Sequence, residues 1–453
     1  MQLKRAHAFG VVLVLLTGCA SIIGVPDLTY QESDLDAGGL DGSVDGQTRL
    51  DATSNPDASS PNDATADTNP PVTDAGTDSA TCDLTKTAQD PLNCGSCGHV
   101  CLDDAGCSSS ACNATILTTI GGGSLGFIEI IEHGDYLYAT PDDFTATAQQ
   151  GVYRIHKTTG ANTLYAPLLH ANKMVIVGDT LWITAYTSLY DPSFPSDNGG
   201  IYRCKLVAGD TCSVELVTPV AYPAGPNGIG TKIYYADYGR LEFRTLDTAG
   251  GFIADGGADA EAFIQKYGAT TEIGNLWEMW VDPAAPPTTY FQDAYGDGTV
   301  VTYKLNPAGA SQKTIGKYAP GSNDAYHGSI IGNASSVYWT SADYSPGTSG
   351  ALKKINRADD SSCDLANRAA GKNEVVRPQG LFLDSKNVFW TNKGELSAGT
   401  PNGSVAMCPV DTCCTDAKFV WNGSGQPYAI TGDATHLYWT VYNTGDIYRV
   451  TKP

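Results

Sequence analysis

The chain has 453 residues, of which 17% are charged, with a formal net charge of -22 and a pI near 4.5. Its 42% hydrophobic content suffices for one large core or several smaller ones. The acidic balance argues against nucleic acid as a partner, because phosphate binding needs a basic face.

At the start, Lys4 and Arg5 precede the apolar run Ala8 to Leu16, too short to span a bilayer as a mature helix and laid out like a signal peptide. The run ends in Leu16-Thr17-Gly18-Cys19. This resembles the lipobox of bacterial lipoproteins, which implies removal of residues 1–18, lipidation of Cys19 and attachment to the membrane of the cell envelope through that lipid. Ala20 follows where Asp would stand in a protein retained at the inner membrane, so the resemblance implies the outer membrane. The alternative is an ordinary signal peptide followed by a chance cysteine. Either route exports the chain, and thirteen cysteines less a lipidated one leave an even number to form disulfides.

Residues 19–81 are dominated by Asp, Ser, Thr, Gly, Ala and Pro, with almost no aromatics. Such a segment cannot bury enough apolar surface to offset ordering entropy, so a disordered acidic linker is expected, extended by charge repulsion. "DLDAGGLDGSVDG" within it lacks EF-hand spacing and reads as linker rather than calcium loop. Residues 82–113 hold six cysteines, from Cys82 to Cys112, too densely placed for a hydrophobic core. A disulfide-rich segment is expected, with a zinc site at Cys94, Cys97, Cys101 and His99 as the alternative. "NCGSCGHVC" resembles a short cysteine repeat of myxobacterial surface proteins.

From 114 to 453 the sequence repeats one element: "YLYAT", "TLWIT", "KIYYA", "TTYFQ", "SVYWT", "NVFWT" and "HLYWT", beginning at Tyr136, Thr180, Lys232, Thr288, Ser336, Asn387 and His436. Each copy follows a short apolar run and precedes a loop and a further strand such as "GVYRIHK" or "GDIYRV". The spacing is that of one four-stranded propeller blade. Aromatic and β-branched residues alternate with polar ones, which predicts half-buried strands and an all-β fold. The repeats resemble YWTD and NHL-type β-propellers through the aromatic-Trp-Thr element and the following "G-x-I-Y-R". The YWTD aspartate is absent after Thr340, Thr391 and Thr440, where Ser341, Asn392 and Val441 stand, so a receptor role does not carry over. The whole reads as a seven-bladed β-propeller behind a small disulfide-rich segment and a disordered stalk. The last copy lacks an outermost strand, and "ATILTTI", Ala114 to Ile120, is predicted to supply it by pairing near Tyr448, leaving no open edge.

Within the propeller, Cys204 and Cys212 are placed to join the third and fourth strands of blade 2. Cys408 and Cys413 repeat that arrangement in blade 6, in a turn resembling those of myxobacterial propeller lipoproteins. Cys363 and Cys414 pair by elimination, and the adjacent Cys413 and Cys414 could exchange roles.

The first strand of each blade should line the central channel. The residues leading into these strands bring His170, Asn227, Asn275, Trp277, His327, Gln379 and Gln426 towards one mouth. The loops after the repeated element add a rim of Tyr186, Tyr238, Tyr295, Tyr344 and Tyr442 with carboxylates between, suited to stacking on sugars or holding a cation. Equally, Asn, Pro and Gly make the turns between blades, and strand-end tyrosines pack on neighbouring blades. The "N/Q-P-x-G-I" lead-ins resemble those of streptogramin-lyase-like propellers, whose metal and histidine acid/base pair would here fall to His170 and His327 with Glu272 or Glu278. "DAYGDG" offers oxygen ligands for calcium; no other cofactor is expected. No nucleophile elbow, P-loop or "HExxH" occurs. The reading is a lipid-anchored envelope protein displaying a propeller that binds glycan, peptide or another envelope protein, with an envelope hydrolase or lyase as the alternative.

Overall fold

A computed structural model describes residues 89, 107–108, 111–121, 125–141, 150–186, 199–220, 223–237, 242–248, 265–266, 275–284, 288–294, 300–305, 312–318, 325–343, 350–367, 375–394, 402–411 and 417–453. The predicted signal peptide, Cys19, the acidic linker and most of the cysteine-rich segment lie outside them. Among the described residues the strands form seven four-stranded antiparallel sheets and one two-residue pairing, Cys107–Ser108 with Ala111–Cys112.

The sheets are blades, each running from an inner to an outer strand. Blade 1 comprises Phe127–His133, Tyr136–Pro141, Gly151–His156 and Asn162–Pro167. Blade 2 comprises Ala171–Val177, Thr180–Tyr186, Gly199–Lys205 and Glu215–Pro219. Blade 3 comprises Pro223–Ile229, Lys232–Asp237, Glu242–Asp247 and the short Gln265–Lys266. Blade 4 begins with Asn275–Asp282, blade 5 with Ala325–Gly332 and blade 6 with Pro378–Leu383. Blade 7 comprises Pro427–Gly432, His436–Val441, Asp446–Thr451 and, from the other end of the propeller sequence, Thr115–Thr119. Inner strands of successive blades lie against one another around a closed circuit, so the fold is an all-β β-propeller.

The repeated element is the second strand of each blade. Half-burial was the expectation, but these strands are buried on both faces after their first residue, as in Tyr136–Pro141, Asn387–Asn392 and His436–Val441. The reason is geometric: a blade in a ring has a neighbour on each side, so a strand one place out from the channel is covered twice. That explains the near-continuous "LYWT" and "VFWT" runs, the pattern of strands covered on both faces. Trp339, Trp390 and Trp439 are fully buried there.

The threonine of the element has a specific task. Every inner strand carries a β-bulge near its start, between Pro378 and Leu381 in blade 6 and between Pro427 and Ile430 in blade 7. Thr391 Oγ1 accepts from Gly380 N (3.0 Å) inside its own bulge and donates to Tyr428 O (2.6 Å) in the next blade. Thr340 bridges Ser329 N and Gln379 O, and Thr440 bridges Ala429 N and Phe127 O, carrying the stitch from blade 7 to blade 1. In blade 4, Gln292 stands in place of the threonine and donates to Thr340 O at 3.1 Å. Gly380 is required at its bulge: a Cβ there would lie 2.6 Å from Tyr428 O.

Ring closure follows the predicted pairing. Thr115–Thr119 runs antiparallel to Asp446–Thr451, with Ile116 opposite Tyr448. At the far face Lys157 of blade 1 donates to Asp433 of blade 7 (3.0 Å) and to Glu132 (2.7 Å), and Arg449 donates to Lys157 O. Cys112 is buried in a cluster with Val420, Trp439 and Val450, and Cys107 and Trp421 pack against it. The end of the cysteine-rich segment therefore docks on blades 6 and 7. Cys204 and Cys212 form a disulfide with Cα atoms 5.9 Å apart. Cys212 lies in the turn before the outer strand rather than within it. Cys363 and Cys408 are also disulfide-bonded, while Cys413 and Cys414 lie outside the described residues.

Candidate binding mouth and channel

The antiparallel register fixes one face as the mouth. Ala171 pairs with Ala185, Pro378 with Asn392 and Pro427 with Val441, so the start of each inner strand meets the end of the second strand. His170, Arg377 and Gln426 lead into inner strands at this face, beside Tyr186, Lys393 and Tyr442.

Several predicted site residues spend their polar groups on the scaffold. Asn227 is buried; its Nδ2 donates to Gly225 O and Met279 O, both at 3.0 Å, and its Oδ1 accepts from Val281 N. It joins blade 3 to blade 4. Gln379 is buried with Nε2 donating to Pro378 O. Gln426 holds the turn above blade 7, its N–H donating to Asn443 Oδ1 and its carbonyl accepting from Tyr442 N. Tyr442 stacks on Tyr428, with ring centroids 5.4 Å apart. Asn275, Trp277, His327 and Tyr186 lie on strands at this end, and their side chains lie outside the described residues. Tyr238, Tyr295, Tyr344, Glu272 and the "DAYGDG" loop are outside them altogether.

His170 keeps its place at the mouth in an unexpected conformation. Its φ is +58°, and Arg377 has φ +55° at the corresponding place in blade 6. A branched or long side chain in the left-handed region is strained by about 1–2 kcal/mol. Burial pushes the His170 imidazole below its ordinary value, favouring the neutral ring. Lys393 lies beside Arg377, donating its N–H to Arg377 O at 3.1 Å, and its Nζ sits 4.6 Å from the Tyr428 ring centre and 4.4 Å from that of Tyr442. The ammonium is thus held by two aromatic faces across the junction of blades 6 and 7.

Deeper in the channel is a charged group that the sequence reading assembled only in part. Glu129, Lys173 and Glu278 occupy the same place in the inner strands of blades 1, 2 and 4: each directly precedes the residue opposite Ala139, Ile183 or Phe291 of the second strand. The equivalent residues of blades 5, 6 and 7 are the small Ser329, Gly380 and Ala429. Lys173 Nζ and Glu278 Oε1 are 2.6 Å apart, with both side chains buried. Glu129 is 1% exposed. Burial raises its carboxyl well above the ordinary value; Lys173 opposes this shift, Glu278 reinforces it, and a backbone hydrogen bond from Met174 opposes it again. Burial thus favours the protonated form of this carboxyl. The signal was present in "FIEII", "ANKMVIV" and "NLWEMWV", where one charge interrupts each strand predicted to line the channel.

No protein-family model matches the sequence, and no curated protein matches it. Among solved structures it is similar to one of a nidogen/laminin complex, with 15% identity and a TM-score of 0.38 over 55% of this chain and 85% of that one. It is also similar to a catalytically inactive virginiamycin B lyase from Staphylococcus aureus with quinupristin, with 10% identity and a TM-score of 0.49 over 75% and 99%. A third is BamB from Moraxella catarrhalis, with 13% identity and a TM-score of 0.37 over 72% and 84%. These likenesses are of fold alone.

Proposed function

We propose that this chain is a lipid-anchored protein of the bacterial cell envelope that displays its β-propeller as a non-enzymatic binding module, its mouth receiving a glycan, a peptide or another envelope protein. The observation that carries the reading is the concentration of backbone strain at one face. Two of the three described non-glycine residues with positive φ, His170 and Arg377, stand directly before inner strands at the mouth. Strain of this kind persists where the surroundings over-determine it, and it clusters at ligand sites. The lipobox-like Leu16 to Cys19, the acidic residues 19–81 and the export-type cysteines support an anchored, extended presentation at the outer membrane. Two measurements test this. Cys19→Ser should release the protein from membranes or leave an uncleaved precursor, and unchanged attachment with normal processing would sink the anchor. A thermal-shift panel of sugars, peptidoglycan fragments and divalent metals should find a stabilising ligand, calcium included.

The envelope hydrolase or lyase remains the second reading because of Glu129. A carboxyl whose protonated form is favoured by burial, beside an ammonium–carboxylate pair in a channel, is a group able to act as general acid. In that case Glu129→Gln abolishes turnover of a panel substrate, as would His170→Gln with His327→Gln. In the binding reading Glu129→Gln leaves ligand affinity largely intact.

A further inference from the structure

Arg377 is buried to 3% exposure at the last position before the inner strand of blade 6. Its backbone is engaged, the carbonyl accepting from Lys393 N. Its side chain is not: Nε and Nη1 are buried and meet no hydrogen-bond partner among the described residues. A guanidinium carries a permanent charge and five donors, and burying it unpaired is among the more destabilising arrangements a protein can hold. This residue also has φ +55°. Two separate costs therefore fall on one side chain at the mouth, in a chain whose net charge is -22. An acidic protein has no general electrostatic need for a buried cation there, whereas a ligand with complementary charge would supply the missing acceptors.

We propose that Arg377 is the receptor for an oxyanion, a carboxylate or phosphoryl group carried by the ligand that enters the mouth. The fork of Nε and an Nη nitrogen matches two oxygens of such a group in a bidentate pair. Lys393, fixed 4.4 Å above the Tyr442 ring from the adjacent backbone, adds positive potential without competing for the same acceptors. Tyr442, partly exposed beside them, offers an aromatic edge for whatever body carries the anion. The inference rests on the binding-module reading and adds to it the charge and chemistry of the ligand.

The test uses the full-length protein in detergent, with acetate and inorganic phosphate as probes titrated against chloride at constant ionic strength. The wild type should gain thermal stability with one or both anions, and which one acts separates a carboxylate from a phosphoryl ligand. Arg377→Gln and Arg377→Gly should each weaken the apparent affinity by about tenfold or more, the loss expected for a charge-assisted pair. The glycine variant accommodates the positive φ, so it keeps the experiment informative if glutamine disturbs folding. Lys386→Gln, exposed in the turn at the opposite end of the same blade, should leave the response unchanged. No response in the wild type, an equal response in the Arg377 variants, or an equal loss in the Lys386 variant would each overturn the proposal. The binding-module reading fails separately, if no member of the ligand panel stabilises the wild type.

Discussion

Lys173 and Glu278 touch at 2.6 Å although blade 3 stands between the blades that carry them. Their contact therefore spans the channel rather than a blade junction, and with Glu129 it places two carboxyl groups and one ammonium among inner strands that are otherwise mostly apolar. Removing one member strands a buried charge. Glu278→Gln or Lys173→Met alone should cost about 3–5 kcal/mol, whereas Lys173→Met with Glu278→Leu should restore much of that loss. Chemical denaturation of the three variants checks the relation. Additive losses in the double variant would show that the two side chains do not act as a pair.

Glu129 makes the pair pH-sensitive in a defined direction. Because its folded-state value is raised, the folded protein keeps a proton that the unfolded chain gives up above about pH 4.5. The unfolded state then binds fewer protons, so this group's contribution is complete below that pH and declines as pH rises towards the folded value. Glu129→Gln imitates the protonated carboxyl and escapes the decline. Its melting temperature should exceed that of the wild type by a margin that grows as pH rises above about 4.5. A constant margin would mean that the carboxyl does not titrate as its burial requires.

The opposite sign applies to Asp433. Burial opposes its ionisation, but the N–H groups of Thr435 and His436 and the Lys157 ammonium outweigh burial and hold the carboxyl below its ordinary range. Its contribution is present above about pH 4 and is lost as acid protonates it. Asp433→Asn should therefore destabilise the protein near neutrality, with the difference from wild type shrinking below pH 4. Guanidinium titrations at pH 7 and pH 3 would measure the change.

The architecture was legible because a propeller repeats. One aromatic-rich element, met again at each blade, located the second strands, and its period located the other strands around them. The degree of burial was not legible, because a single strand does not reveal that it will have a neighbour on both sides. The mouth was legible only as a place. Asn227 and Gln379 looked like ligand-facing groups, yet their amides bond within the scaffold, since a bulged strand exposes backbone that some side chain must satisfy. Arg377 and Lys393 escaped notice because their importance lies in a dihedral angle and a cross-blade contact with Tyr428, neither of which leaves a mark in spacing. Glu129 and Lys173 could have been found by asking which channel-lining strands carry a charge they have no local reason to carry.

The threonine stitch predicts where the ring is weakest. Thr391→Val leaves Gly380 N and Tyr428 O without their shared partner and should cost about 1–3 kcal/mol. Thr391→Ser keeps the hydroxyl and should cost clearly less. Gly380→Ala should be as damaging as the valine change, since its Cβ would press on Tyr428 O at 2.6 Å. Equal stability of the serine and valine variants, by thermal melting, would remove the hydrogen bond as the cause.

Closure joins the two ends of the propeller sequence, and it can be cut. A chain beginning at Gly121 loses Thr115–Thr119, baring the edge from Asp446 to Arg449 and the faces of Trp439 and Tyr448, which stack at 5.5 Å beneath it. Such an edge pairs with other chains, so this truncation should aggregate or lose cooperative unfolding. A chain beginning at Asn113 retains the strand but gives up Cys112, which is buried against Val420, Trp439 and Val450. It should fold, though with a lower melting temperature than one beginning at Thr81, because a patch of the core of blades 6 and 7 is uncovered. The order of stability is then Thr81, Asn113, Gly121. Equal stability of the last two would mean that Thr115–Thr119 contributes nothing to the ring, and that the clasp of Lys157 on Asp433 and the bond from Thr440 to Phe127 O hold blades 1 and 7 together without it.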